Sequence, residues 1–546
     1  MLNLSPNAAV SMTGEQSGIR YHRIRAPRGH AEAMIEPSPL EPGLLLEENA
    51  RRYQVAAEAS IGGVSLATLR RQAHADMIRL AMEHSAPYRE VPAAIDEQMP
   101  LIVSGHQPAL YHPGVWFKNF LIDQIANKTN GLAINVIVDN DVAPAPSIAA
   151  LTGTPAEPVP ARIAYDEPGP RVPWEMTSVQ SLDTLRSFAQ RVAETFQPFV
   201  DDPAVLHVWP DVVREVEAGK PLGLAFSVAR NRLEAAFGLN TLDVPLSQLC
   251  RTSWFCQFVA SILNEAERYR SIYNDCVNQY RKVQGIRSTS HPVPDLEMKD
   301  GWIEVPFWIW TTDNAHRRQL WVAHDEDGLR LSDRAGWEVS CPADDRLVPT
   351  LQGLVEHGAY LRPRALSNTT ILRLAASDLI VHGIGGAKYD QVTDEIIRQF
   401  YGIKPPQYVT ATATALLPIE RPAAKADDVR AIDRKLRDAV FNPDRAVEVC
   451  AEDAIEWEAL VSQKRTLLDA IPEFPEKAAW HRQLEEVNAK LRSQITEPVA
   501  RLRIERDQLT HQLHDKQLLA SREFSFVLFP IERLRNLLLD LAEKES

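Results

Sequence analysis

The residues best suited to chemistry lie where apolar runs give way to polar loops. In Leu101 to Leu121, LIVSGHQPALYHPGVWFKNFL, the run ends at Gly105 and is followed by His106, Gln107, His112 and Lys118. An imidazole that is neutral near pH 7 can donate to a developing oxyanion or hold a carboxylate or phosphate. A second cluster, VIVDNDVAPAP, sets Asp139, Asn140 and Asp141 after another apolar run. Two carboxylates in a crevice can take an ammonium group, Mg2+ or ribose hydroxyls, and the same residues read as turn caps before the prolines. The third cluster, HGIGGAKYD, carries His382, Gly383, Gly385, Gly386 and Lys388. Its glycines allow close backbone approach to a ligand or serve a tight turn, and a lysine near a helix start opposes the dipole unless an anion is bound. The pattern is neither G-x-G-x-x-G nor a Walker loop.

Such loops act together only if something delivers them to one place. The apolar runs LIVSG, LAINVIVDN, ARIAY, VPFWIWTT and DLIVHGIGG read as buried strands, and several alternate with helical patterns such as VWFKNFLIDQIAN and DQVTDEIIRQFYG. That alternation predicts an α/β fold with a Rossmann-like parallel sheet. A parallel sheet sends its strand ends to one edge, where a following helix offers its N–H groups to an anion.

Composition narrows the partners. The 546 residues are 45% hydrophobic and 24% charged, as in a protein able to bury large cores in two or three domains. A net charge of -14 argues against nucleic acid, the basic run IRYHRIRAPRGH being only local. Cys250, Cys256, Cys276, Cys341 and Cys450 form no C-x-x-C pair, which suits a reducing compartment and offers no zinc site. No fixed ligand spacing supports a transition-metal site, so no metal ligands are assigned. Without a signal-like segment or a run of about 18 apolar residues, no membrane contact is expected and the cytoplasm is the expected location.

The expected organisation is a mixed N-terminal segment over 1–95 and a Rossmann-like core over 96–415 with a helical insertion at about 180–300. A helical hairpin over 426–520 and a C-terminal helix over 521–546 follow. Trp480, Leu484, Val487 and Leu491 are spaced 4-3-4, an apolar seam that predicts an antiparallel coiled coil and, through it, a homodimer. Pro498 predicts a kink or a restart in that seam.

These motifs resemble those of the bacillithiol-biosynthesis cysteine-adding enzymes, the cysteine ligases. Ser104-Gly105-His106-Gln107 stands where that family has a T-G-Q-Q type loop, followed by a helix with Trp116 and Lys118. Asp139-Asn140-Asp141 stands for an acidic E-D-H-D type stretch, Leu361-Arg362-Pro363 for an L-R-P strand, and His382 to Tyr389 for a G-G-P-G-E-x-x-Y loop. The resemblance implies a nucleotidyltransferase-type core, a coiled-coil dimer and attachment of L-cysteine to the amine of glucosaminyl-malate. The departures are His106 for the first Gln of the loop and Gly386 at the position of the family's Glu. The acidic stretch also loses a residue type.

The function expected is therefore amide formation between an amino acid and an amine-bearing acceptor, both small molecules. A carboxylate needs activation for this, and a nucleotide, ATP with Mg2+, would serve. The roles expected are charge stabilisation by His106 or His112, ammonium or metal binding by Asp139 or Asp141, and phosphate binding by the Gly105-His106 and Gly383–Gly386 loops. Nucleotidyl transfer to another acceptor and a non-catalytic coiled-coil protein are the alternatives.

Overall fold

The computed structural model describes residues 18–38, 40–92, 95–326, 328–446 and 454–546. Cys450 and the first residues of the helical pattern that opens at Ala451 lie outside them. Two compact units result, one from the described residues of Met1–Ala150, Arg162–Leu416 and Arg522–Ser546, the other from Leu151–Ala161 and Leu417–Ser521.

The first unit opens with β1 (Glu32–Glu36), α1 (Pro42–Val55), α2 (Leu66–Ser85), β2 (Leu101–His106), α3 (Pro113–Thr129) and β3 (Leu132–Ile137). After α4 (Leu222–Ala236) and β4 (Leu242–Pro245) come β5 (Trp302–Thr311), β6 (Arg318–Asp325), β7 (Gly328–Ser332), β8 (Glu338–Cys341) and β9 (Ala359–Pro363). The chain continues with α5 (Ala365–Ile371), β10 (Leu379–His382), α6 (Ile384–Tyr401) and β11 (Tyr408–Thr414).

The main sheet has the order β1-β11-β10-β2-β3-β4. Its strands β2, β3, β4, β10 and β11 are parallel, and β1 runs antiparallel along β11. Every residue of β3 and the first four of β2 are buried, which explains why these strands read as mostly apolar runs, broken only by Ser104 and Asn135, rather than alternating ones. Numbered by appearance in the chain, the parallel strands lie 3-2-1-4-5 across the sheet. The order reverses between β2 and β10, and crevices open at such reversals.

Helix α3 covers β2, β3 and β11. His112 is its N-cap with Pro113 following, a favoured start because proline's absent N–H is one that the helix leaves unpaired anyway. It ends at Asn130, whose φ of 53° is a left-handed stop that asparagine tolerates. Trp116, Phe117 and Phe120 on this helix are fully buried, so its aromatic residues anchor the sheet from one side.

Three boundaries differ from expectation. The described residues of 1–95 join the core unit, since β1 completes the main sheet and Leu66, Leu69, Ala73 and Met77 of α2 are in the core. The helical insertion at about 180–300 contains β4, a strand of the sheet itself. With four residues and Asp243 inside it, β4 gives too short an apolar signal to stand out among its helical neighbours. The VPFWIWTT run is β5 of a second, antiparallel sheet of order β8-β7-β6-β5-β9, not a strand of the parallel core. Local sequence cannot tell these apart, because a strand buried on both faces is a continuous apolar run in either sheet.

The second unit contains α7 (Ala426–Phe441), α8 (Ala454–Asp469), α9 (Lys477–Gln494) and α10 (Thr496–Leu519). Leu460 of α8 packs with Val487 and Leu491 of α9, while the Leu467 carbonyl, further along α8, accepts from Trp480 Nε1 at 2.7 Å, earlier on α9. The two helices are thus antiparallel. Ala439 of α7 packs likewise with Ile495, and Val499 of α10 joins them. The helix stops at Ile495 and restarts at Thr496, so Pro498 falls in a first turn, where its ring is tolerated. The segment after it, α11 (Ile531–Glu545), belongs to the first unit and packs against α3 through a stripe including Leu534, Leu538 and Leu541.

Candidate functional site at the strand ends

The parallel sheet brings the three loops to its C-terminal edge. His106 closes β2, Asp139 to Asp141 follow β3, and His382 closes β10, with Val381 in register with Ser104 and His106 with Ile137. Within this common edge the side chains divide among distinct surroundings.

At the strand reversal between β2 and β10 lies Lys118, 3% exposed. Its Nζ donates to the Gly105 carbonyl at 2.8 Å, and no carboxylate among the described residues is within ion-pair distance. Burial pushes its pKa down to about 8, since nothing negative offsets the loss of water. A Cβ on Gly383 would stand 3.9 Å from the Lys118 stem, so the loop after β10 lies against this lysine. Gly383 is the N-cap of α6, with no side chain capping its N–H groups. Gly386 is crowded on one side, as an added Cβ would stand 3.0 Å from His382 Nδ1, whereas Gly385 faces open space. His382 Nε2 lies 2.8 Å from Asp390 Oδ2. Lys388 is exposed on α6.

His106 points elsewhere. Its ring packs on Tyr111 at a centroid distance of 4.4 Å and lines a small chamber with Asn135, Ser227 and Arg230. Burial, with the Lys118 and Arg230 charges, holds its pKa well below the usual value, so it is neutral. Both ring nitrogens, the Tyr111 hydroxyl and Asn135 Oδ1 are buried without a partner among the described residues. Beneath the chamber Arg230 pairs with Glu234 and Asp243, each at 2.6 Å. Trp116 Nε1 and the Asn119 amide also donate to Glu234, and the Asn135 amide donates to Asp243. A fully buried triad of this kind survives because almost every lone pair is met.

His112 does not share a ligand position with His106. Its Nδ1 accepts from the Gly114 N–H at 3.0 Å, and its Nε2 is 3.8 Å from Glu523. Gly114 itself has no room for a side chain, because a Cβ would collide with the Ala413 carbonyl. The role visible for His112 is capping of α3.

The acidic stretch also splits. Asp139 is buried and accepts from the Ser247 backbone N–H at 3.0 Å and from its hydroxyl. Burial and the neighbouring Glu175 charge push its pKa up to about 7. Glu175 is held by Arg362 through two bonds of 2.8 and 2.7 Å, and its N–H donates to the Asp139 carbonyl. Asp141 pairs with Arg317 at 2.8 Å and also meets the Gln107 amide, while the Asn140 amide donates to the Pro363 carbonyl at 2.8 Å. Asp139 and Asp141 thus serve different partners, and the described residues contain no group of three His, Cys, Asp or Glu placed to hold a metal ion.

Sequence reading missed Arg230, Asp243, Glu175, Arg317 and Arg364. Two of them did leave a signal. Asp243 interrupts an apolar strand, and Arg230 stands four residues before Glu234 on a helix whose buried positions include Ala225, Phe226 and Val228. Charges embedded in buried elements require partners.

No helix among the described residues is long and apolar enough to cross a membrane. No family model matches the chain and no curated protein is similar to it, so its functional reading stands on its motifs and on the geometry of this edge.

Proposed function

We propose that the protein is a cytoplasmic ligase of the cysteine-ligase type, joining the carboxylate of an amino acid to an amine-bearing small-molecule acceptor at the C-terminal edge of the main sheet. The observation that carries this reading is Lys118, a buried cation without a carboxylate, set at the strand reversal beside the uncapped start of α6. A cation beside helix N–H groups favours an oxyanion or phosphate there. Lys118 and the first turn of α6 would hold the phosphates of an activating nucleotide, ATP in the simplest case. The Asp139–Glu175–Arg362 cluster would orient the amino acid beside them. Neutral His106 closes β2 and faces its own chamber, from which it would act as a hydrogen-bond donor that steadies developing charge. Apolar seams between antiparallel helices in the second unit support a coiled coil through which two copies would associate.

Thermal shift of the full chain with ATP, cysteine and both together tests the reading. Ligand-induced stabilisation by ATP that grows when cysteine is added is the result expected of a ligase. Stabilisation by nucleotide alone, indifferent to any amino acid, would favour the nucleotidyl-transfer alternative. A His106→Ala chain with unchanged turnover, where a loss of roughly 10-fold or more is expected, would remove that residue from the mechanism.

A further inference from the structure

A pocket lined by Asn140 and Asp141 is walled by Tyr273, Trp308, Arg317 and Arg364, and Lys118 is not among its lining residues. Its cavity of about 250 Å3 is large enough for a small organic molecule. The local sequence builds it. Pro306 cannot donate a ladder hydrogen bond, and the pairing of β5 with β6 slips between Val305 and Trp308. The Pro306 carbonyl instead accepts from the Arg364 N–H at 3.1 Å, which fastens the end of β9 beside Trp308. Both guanidinium groups then lie over the Trp308 ring, Arg364 at 4.3 Å and Arg317 at 4.7 Å from its centroid.

The hydrogen-bond inventory decides what the pocket can take. Its carboxylates are engaged. Asp141 is engaged by Arg317, the Val142 N–H and Gln107, and Glu304, behind the pocket, takes Arg364 on one oxygen and the Glu297 N–H on the other. Its donors are not used up. Arg364 is 9% exposed, and its Nε is buried without a partner among the described residues. Among the described residues Arg317 bonds through Nη1, to Asp141 and to the Asn140 carbonyl. Among the described residues Asn368 Oδ1, four residues after Arg364 and lining the same cavity, is a buried acceptor without a partner.

We infer that this pocket binds a small carboxylic acid, its carboxylate on Arg364 and Arg317, with a hydroxyl or amino donor next to the carboxylate reaching Asn368 and its body against Trp308. A planar carboxylate matches the guanidinium fork, and the unmet amide oxygen asks for the adjacent donor. The inference concerns binding alone and stands whether or not the sheet edge carries a ligase reaction.

Isothermal titration of the full chain with lactate, propionate and inorganic phosphate tests it. Saturable lactate binding is expected, weakened roughly 10-fold by Arg317→Met, and propionate, which lacks the hydroxyl, should bind several-fold more weakly. Arg364→Met should abolish binding. Should that variant fail to fold, Asn368→Asp, which sets a negative charge beside the carboxylate, should abolish it instead. Lys118→Met should leave the lactate affinity unchanged, because Lys118 does not line this pocket. The inference is overturned if lactate gives no saturable heat, if phosphate binds as tightly as lactate, if Arg317→Met binds like the parent chain, or if Lys118→Met removes the binding.

Discussion

Lys118 Nζ donates to the carbonyl oxygen of Gly105 at 2.8 Å, which makes a backbone carbonyl, and no carboxylate among the described residues, the partner of a buried cation. The arrangement costs stability. With the pKa brought down to about 8, the unfolded chain holds this proton more tightly than the native chain does, so between about pH 8 and 10 stability rises with pH. Lys118→Met should therefore be more stable than the parent at pH 7, on the order of 3 kcal/mol, and should lose that rise at alkaline pH. Urea unfolding at pH 7 and 9.5 reads both. A variant no more stable than the parent at pH 7 would mean that Lys118 is neutralised by a partner inside the fold.

Asp139 shifts in the opposite sense for a carboxyl. Its pKa near 7 exceeds the unfolded value, so its contribution to stability is full below about pH 4 and is lost as pH rises through 7. Asp139→Asn keeps an acceptor for Ser247 and carries no charge, and it should flatten the stability profile between pH 4 and 7. Titration of the protein by infrared carboxyl absorption would show the same group directly, as a protonated carboxyl disappearing near pH 7. Absence of that band at pH 5 in the difference between the parent and Asp139→Asn would place Asp139 among ordinary carboxylates.

Much of this edge was legible in the sequence because parallel strands buried on both faces leave mostly apolar runs. Those runs place His106, Asp139 and His382 at strand ends, and the pairing of β2 with β3 and β10 gathers them on one edge. What the runs do not encode is direction. His106 and His112, six residues apart, part company because one packs on Tyr111 while the other caps α3 through Gly114. Strand identity was equally hidden where chemistry interrupts apolarity, as at Asp243 in β4. The Arg362–Glu175 pair joins residues 187 apart, a separation at which no local spacing rule operates.

Glu175 tests how tightly these groups are coupled. Removing its charge with Glu175→Gln leaves Arg362 buried beside a neutral amide, and loss of one partner from a buried pair typically costs about 3–5 kcal/mol. The same change takes away one of the charges that raise the Asp139 pKa, so the carboxyl titration should move to lower pH. A destabilised variant whose Asp139 titration stays near 7 would assign the shift to burial alone.

The Arg230 triad predicts a larger asymmetry. Arg230→Met strands Glu234 and Asp243, which are fully buried, and should destabilise the first unit by about 3–5 kcal/mol. Combining it with Glu234→Gln and Asp243→Asn removes the uncompensated charges, and the triple variant should recover part of the loss. Unfolding midpoints of the three chains settle this. A triple variant less stable than Arg230→Met would mean that the carboxylates are held mainly by Trp116, Asn119 and Asn135 rather than by the guanidinium.

Leu491 is fully buried between Leu460 and Val487 in a unit otherwise rich in charge, so the α8–α9 seam rests on few apolar side chains. Leu491→Ala should cost about 2–5 kcal/mol there. Because helices with small cores open locally, the effect should show as faster amide exchange over α8 and α9 with the strands of the main sheet unchanged. If the seam also joins two copies, sedimentation of the parent chain will give twice the 61.2 kDa mass and Leu491→Ala will shift it toward the single chain. A parent chain that sediments as a monomer at all concentrations would leave α8 and α9 as a pair serving only their own fold.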